Sequence, residues 1–303
     1  MDRLDELSVF VAILDSGSLA GAGRLLHRSP PAITRCLVAL EDRLGTRLVE
    51  RTTRRLLPTE AGRRLLGQAR RLLADYGETV RSVAADEPLR GQIRITAPVV
   101  FGRRHVMPII SDFLRRYPHI GVEAQFSDSN LDLFEAEIDV AIRIGPLADP
   151  ALKARRVGEV RRMLVAHPDY VQAWGTPVCV ADLARHQVIF TAARPMAAEW
   201  RLMENGRERV VRLAPRIIVN QVEAALSAAR DGLGIAQALS YQVVDDLAAG
   251  HLIRLLPHAE PAALPVHLVV SGARQSPART RIFLDHAAGA LRAVGVIRPL
   301  PQP

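Results

Sequence analysis

Cysteine is almost missing from this chain. Only Cys36 and Cys179 occur among 303 residues, far apart and without a CxxC. That excludes a disulfide framework and a cysteine-based zinc site, and it suits a reducing cytoplasm. Lysine is scarcer still: Lys153 is the only one, a bias we attribute to nucleotide composition and not to chemistry. No apolar run approaches the roughly 18–20 residues that a membrane helix needs. The opening MDRLDELSVF sets acids among apolar residues and lacks the basic region and cleavage site of a signal peptide. Catalytic signatures are missing as well. There is no GxSxG, neither cysteine has the setting of a nucleophile, and none of the nine histidines pairs with another at helical spacing. His105, His119 and His167 therefore read as surface or core residues. Gly232-Leu-Gly234-Ile-Ala236 imitates a dinucleotide fingerprint, but it lacks the last glycine and follows a predicted helix, the reverse of the required context. The expectation is a cytoplasmic protein with no membrane segment, metal, cofactor or catalytic activity.

What is present is a concentration of charge. The length exceeds one ordinary domain, so two or three units are expected, each able to bury a core. Residues 17–72 hold twelve arginines and four carboxylates, a net +8 that equals the +8 of the whole chain. The remainder is neutral. A polyanion-binding face accounts for that concentration directly, and a solvated basic surface is the bland alternative.

The same region has a legible pattern. Leu4, Leu7, Val11 and Leu14 mark one face of a helix that Gly17 ends. Ser18 caps a short helix over 19–27, and Ser29-Pro30 opens a third. Ile33, Leu37, Leu40 and Leu44 form its buried face, while Pro31, Thr34 and Arg35 lie on the opposite face near its start. This is helix-turn-helix geometry, in which the second helix presents its first turns to the major groove. Residues 47–57 read as a two-stranded wing with a cationic tip suited to phosphates or a minor groove.

Thr59 then caps a long helix reaching about residue 85. Its apolar positions Ala61, Leu65, Ala69, Leu72, Tyr76, Val80 and Val83 recur with a period near 3.5, as in helices that pair. Such a seam either meets a second copy or docks on its own wing domain. Residues 86–91, with Pro88, predict a hinge. Beyond it strands are predicted at 92–96, 120–126, 139–144, 188–191, 217–219, 235–238 and 266–270. Helices are predicted at 102–117, 130–136, 168–173, 221–230, 241–248 and 278–293, with a hairpin at Asn205-Gly206. This alternation predicts mostly parallel sheets in two α/β lobes with a ligand cleft between them.

The segment SPPAITRCLVALEDRLGTRLVERTTRRLLPTEAG resembles the N-terminal signature of the LysR-type transcriptional regulators. The resemblance rests on Ser29, Ala32, Thr34, Arg35, Leu40, Glu41, Leu44, Gly45, Leu48, Arg51, Arg54, Thr59, Ala61 and Gly62, which match in order. Downstream, GQIRITAPVVFGRRHVMPIISDFLRRYP, EIDVAIRIGPL and ARDGLGIAQALSYQVVDDL are similar to the family's effector domain. The resemblance implies an α/β protein with an all-α winged helix-turn-helix N-terminal domain (1–58) and a long linker, or dimerisation, helix (59–89). A two-lobed periplasmic-binding-protein-like effector domain follows (90–303), with lobe I over 90–163 and 268–303 and lobe II over 164–267.

The implied partners are a pseudo-palindromic DNA operator, a small-molecule effector (an organic or aromatic acid), a second copy or a tetramer of the chain, and RNA polymerase. DNA-reading roles carry over to Ser29, Pro30, Pro31, Thr34 and Arg35 on the recognition helix and to Arg51, Thr52, Arg54 and Arg55 on the wing. Pro31 departs from the family and offers only apolar contact, as to a thymine methyl. Cys36, also a departure, reads either as a packing residue or as a redox sensor. The effector site is implied at Thr96, Pro98, Val99, Val100, Phe101, Ser127, Asn130, Ile144 and Gly145 of lobe I and at Thr191, Asn220, Gln221 and Val222 of lobe II. Val99-Val100 replace hydroxyl residues common in relatives, which implies either a less polar effector or a carboxylate held mainly by backbone N–H groups and Thr96. Dimerisation is implied for Leu65, Ala69, Leu72, Tyr76 and Val80. A transport-type solute receptor and an enzyme fused to a DNA-binding module are the competing readings; the first needs an export signal and the second a convergent catalytic set, and neither is found.

Overall fold

The computed structural model describes residues 2–51, 56–82, 89–129, 133, 136–147, 149, 152–192, 198–271 and 277–297. The chain divides into two compact units, Met1–Gly91 and Gln92–Pro303. Residues 86–88 of the expected hinge and most of the helix expected over 130–136 fall outside the described residues, and Gly91 begins a strand.

In the first unit three helices, α1 (Arg3–Ser16), α2 (Leu19–Leu25) and α3 (Pro30–Leu44), precede strands β1 (Val49–Arg51) and β2 (Leu56–Pro58) and helix α4 (Glu60–Ser82). Ser18 caps α2 through its hydroxyl, which accepts from the Gly21 N–H at 3.0 Å. The strands pair antiparallel, Arg51 opposite Leu56. The core holds Val9, Phe10 and Ile13 of α1 with Ile33, Leu37 and Leu40 of α3. Two expectations need correction. The buried residues of α1 are Glu6, Val9, Phe10, Ala12 and Ile13, and the predicted stripe at Leu4, Leu7, Val11 and Leu14 is only half-buried. The cause is that α2, α3 and α4 all pack on α1 and cover more than one stripe. Leu44 is exposed, and Cys36 takes a buried place on α3 instead.

Two polar clasps fix the root of the wing. The Glu41 carboxylate accepts from the Leu48 N–H at 2.7 Å and from the Val49 N–H at 3.2 Å, tying β1 to α3. The Thr59 hydroxyl donates to the Arg47 carbonyl at 2.8 Å and accepts from the Gly62 N–H at 3.0 Å, so it caps α4 while holding the wing.

The second unit contains two five-stranded sheets. The first lobe opens with β3 (Gly91–Ala97) and a helical stretch made of α5 (Val99–Phe101), a π-helical turn (Gly102–Val106) and α6 (Met107–Arg116). Strands β4 (Ile120–Phe126), β5 (Val140–Ile144) and β6 (Leu152–Val160) follow. The second lobe comprises β7 (Arg162–Ala166), α7 (Pro168–Trp174), β8 (Val188–Thr191), the hairpin β9 (Glu199–Glu204) and β10 (Arg207–Arg212), β11 (Ile217–Val219), α8 (Val222–Arg230), β12 (Ile235–Leu239), α9 (Ser240–Ala249) and β13 (Ile253–Leu255). Strand β14 (Leu264–Ser271) and α10 (Ala278–Arg292) return to the first lobe. Asn205 and Gly206 both have positive φ, 52° and 74°, as a two-residue hairpin turn requires.

Strand order is β4-β3-β5-β14-β6 in one sheet and β11-β8-β12-β7-β13 in the other. The sheets are mixed, not mostly parallel. Strand β3 runs parallel to β5, and β8 runs parallel to β11 and β12, but β14 opposes β5 and β6 while β7 opposes β12 and β13. The antiparallel strands are those adjoining the two passages between lobes. These passages lie at Arg161 and between β13 and β14, a few residues from the positions expected at 163 and 267.

Candidate functional site

The start of α3 is open on one side. Ser29, Pro30, Pro31 and Arg35 are exposed, and Arg35 makes no ion pair among the described residues. Ser29 sits at the N-cap without a side-chain capping bond. Thr34 is half-buried, and its hydroxyl donates to the Pro30 carbonyl at 3.0 Å, so only its lone pairs remain for a partner. Arg51 ends β1, while Thr52, Arg54 and Arg55 lie outside the described residues.

The charge of this unit is partly neutralised by residues that the 17–72 window leaves out. Acids on α1 pair with three of its twelve arginines: Arg28 with Asp5 at 2.7 Å, Arg43 with Glu6, and Arg70 with Asp15. The bond to Asp5 and its charge raise the Arg28 guanidinium above its ordinary pKa. Glu6 is buried, so its carboxylate needs the Arg43 partner. Arg24, Arg35 and Arg47 stay exposed and free of ion pairs among the described residues. Cys36 is buried beside Ile33 and Leu37, which accords with the packing reading.

The seam of α4 is divided. Ala69, 1% exposed, belongs to the unit's own core, and half-buried Leu65 packs against it. Leu72 is half-buried. Among the described residues of the seam only Tyr76 and Val80, 53% and 55% exposed, present large apolar side chains to solvent. The first half of the seam therefore follows the docking alternative.

In the second unit the implied cleft residues separate into three kinds. Thr96, Val100 and Phe101 are buried, and the Thr96 hydroxyl is committed to the Gln125 carbonyl at 2.8 Å. Half-buried Pro98 and exposed Val99 begin the helix, where the Val99 N–H donates to the Asp128 carboxylate at 3.0 Å. That position, expected to receive a ligand's carboxylate, already holds one from the chain. Half-buried Ser127 accepts at its hydroxyl from the Ser129 N–H at 3.1 Å, half-buried Ile144 ends β5, and buried Gly145 donates its N–H to Pro265 at 2.9 Å. Asn130 lies outside the described residues. In the second lobe Asn220 and Gln221 are exposed and Val222 half-buried where α8 begins, and the buried Thr191 hydroxyl oxygen has no hydrogen-bond partner among the described residues.

Arg103, Arg104, Glu223, Tyr241 and Asp245 were not anticipated at this place. Arg103 donates to Glu223 at 2.9 Å, and Arg104 donates to the Tyr241 carbonyl at 3.0 Å and pairs with Asp245 at 3.0 Å. Phe101 and Tyr241 meet edge-on at 5.1 Å between ring centroids, with His105 against both. The π turn thus joins the lobes and is tied to α8's first turn through Glu223. Burial lowers the His105 pKa, with the Arg104 charge adding to the effect, and burial raises the Tyr241 phenol. A π turn has no sequence signature, so no local signal would have found these contacts. A separate cavity of about 390 Å³ in the second lobe, lined by Cys179, Met203, Asn205 and His258 among others, shares no residue with this cleft.

No group of three or more metal-ligating side chains occurs among the described residues. No single described helix is long and apolar enough to cross a membrane.

Comparison with known proteins bears on both units. Residues 4–63 match the family described as "Bacterial regulatory helix-turn-helix protein, lysR family", and residues 86–292 match "LysR substrate binding domain". The chain is 32% identical over 286 residues to the HTH-type transcriptional regulator PtxR of Pseudomonas aeruginosa, covering 93% of this chain and 91% of that protein. Its fold is similar to the full-length virulence activator AphB of Vibrio cholerae, with a TM-score of 0.60 and 29% identity over 95% of this chain and 99% of that one. CrgA of Neisseria meningitidis, a LysR-type regulator, superposes with a TM-score of 0.61 and 28% identity over 96% and 99% of the two chains.

Proposed function

Because the chain belongs to the LysR family of DNA-binding transcriptional regulators, we propose that it reads a pseudo-palindromic operator through α3 and the wing, under control of an organic or aromatic acid. It acts in the cytoplasm as a homodimer or homotetramer. The observation that carries the DNA reading is the open face of α3, where Arg35 stands exposed, without an ion pair among the described residues, about one turn from the helix start. A mobility shift on the DNA upstream of its own gene tests it; a complex no tighter than on random duplex would overturn it.

Effector binding falls to the second lobe's edge of the cleft. With the Val99 N–H and the Thr96 hydroxyl already engaged, the groups left for a carboxylate are at the start of α8. Its first turn leaves the N–H groups of Val222, Glu223 and Ala224 without helical acceptors, and Thr191 adds an unpartnered hydroxyl. The Glu223 charge there is offset by Arg103. Screening aromatic and aliphatic acids by thermal shift should yield a ligand that raises the melting temperature. Thr191→Val should then weaken its binding roughly tenfold, the value of one hydrogen bond of about 1.4 kcal/mol; an unchanged shift would exclude Thr191.

Assembly rests on the outer half of the α4 seam. Val80→Glu should give monomers by sedimentation, since a carboxylate buried between paired helices has no partner there. An unchanged mass would remove α4 from the interface.

A further inference from the structure

The exposed face of α3 contains a residue outside the DNA-reading set. Opposite the buried Ile33, Leu37 and Leu40 lie Pro31, Arg35, Val38 and Asp42, spaced four, three and four residues apart. At 3.6 residues per turn these four fall within about 60° of arc, along the centre of the solvent face. All four are exposed, Val38 by 46% although it is apolar and lies in the middle of a well-packed helix. Thr34 is off this line, with its hydroxyl bonded to Pro30. The centre of the face is therefore one cation between two apolar side chains. The same unit presents Arg24 and Arg47 without ion pairs among the described residues, a complement to a polyanion. In a major groove the apolar feature available to such residues is the 5-methyl group of thymine. Asp42, one turn further on, carries a charge that phosphates repel, which limits the contact to Val38 and the turns before it.

We propose that Val38 is a specificity-determining residue that packs on a thymine methyl. With Pro31 it brackets Arg35, so each half-site carries thymines on both sides of the base that Arg35 reads. This rests on the DNA-binding function proposed above.

The test starts from duplexes that the full-length protein enriches from a randomised library. Deoxyuridine then replaces each thymine in turn, removing one methyl group and nothing else. Wild type should bind about fourfold more weakly at the contacted thymines, the burial value of one methyl group, ~0.8 kcal/mol. Val38→Ala should lose the deoxyuridine penalty at one position per half-site and keep it at the others, with an unchanged melting temperature because Val38 lies outside the core. Retention of every penalty in the variant, or a variant weakened equally on random DNA, would overturn the assignment while leaving DNA binding intact. Failure to enrich any sequence would instead overturn the DNA-reading function, and this assignment with it.

Discussion

Replacing Arg35 with alanine is expected to cut the preference for the operator over random DNA by roughly a hundredfold or more while leaving non-specific binding largely in place. Arg35 is exposed, makes no ion pair among the described residues, and stands one turn into α3. A guanidinium so placed can donate two hydrogen bonds to the O6 and N7 acceptors of a guanine, worth about 1–3 kcal/mol of discrimination. A two-fold site contains two such contacts, so the preference should fall by roughly a hundredfold or more. Arg47→Ala provides the contrast. Arg47 precedes the wing and is equally unpaired, and as a phosphate contact it should weaken all sequences alike and reduce the salt slope by about 0.9 per contact. Titrations of operator and random duplex at several salt concentrations separate the two behaviours. An Arg35→Ala protein with an intact preference would remove α3 from base recognition.

Gly62→Ala should have the largest effect on stability, although it adds only a methyl group. A Cβ at Gly62 would lie 2.0 Å from the Leu48 carbonyl oxygen, a backbone atom. That carbonyl cannot withdraw easily, since it accepts the Thr59 N–H at 3.0 Å and the Leu48 N–H is held by Glu41 at 2.7 Å. Relief requires α4 or the root of the wing to move, which breaks the Thr59 clasp. Overpacking costs about 1–3 kcal/mol where side chains can yield, and backbone against backbone should reach at least the upper end. For a unit of this size that lowers the melting temperature by roughly 10 °C or more. Gly289→Ala is the control, because a Cβ there meets nothing within 4 Å. A Gly62→Ala protein that melts within a degree of wild type would show that the contact yields without cost.

Much of this protein was legible without coordinates, and the legible part is local. The helix starts at Ser18 and Ser29, the stop at Gly17, the strand at 217–219 and the hairpin at Asn205-Gly206 depend on residues a few positions apart, and each stands where periodicity and capping place it. The motif Glu41, Thr59, Gly62 was recognised as a pattern, and its physical content is the double clasp on the wing. Strands β6, β7 and β13 were not among the predicted strands: β6 is charged and mostly exposed along its first half, β7 has five residues and β13 only three.

The sequence by itself determined the order of the elements, the family, and the location of the chain's excess cations within one short N-terminal stretch. Tertiary structure alone decided which of those cations remain available. Asp5, Glu6 and Asp15 reach Arg28, Arg43 and Arg70 across 23, 37 and 55 residues, distances over which no periodicity operates. For the same reason only folding could assign Ala69 to the unit's own core, commit the Thr96 hydroxyl to Gln125, set Asp128 on the Val99 N–H, and bring Arg104 to Tyr241. Propensity and capping act between neighbours along the chain; partner choice for a charge or a hydroxyl is settled by which distant segments packing brings within about 3 Å.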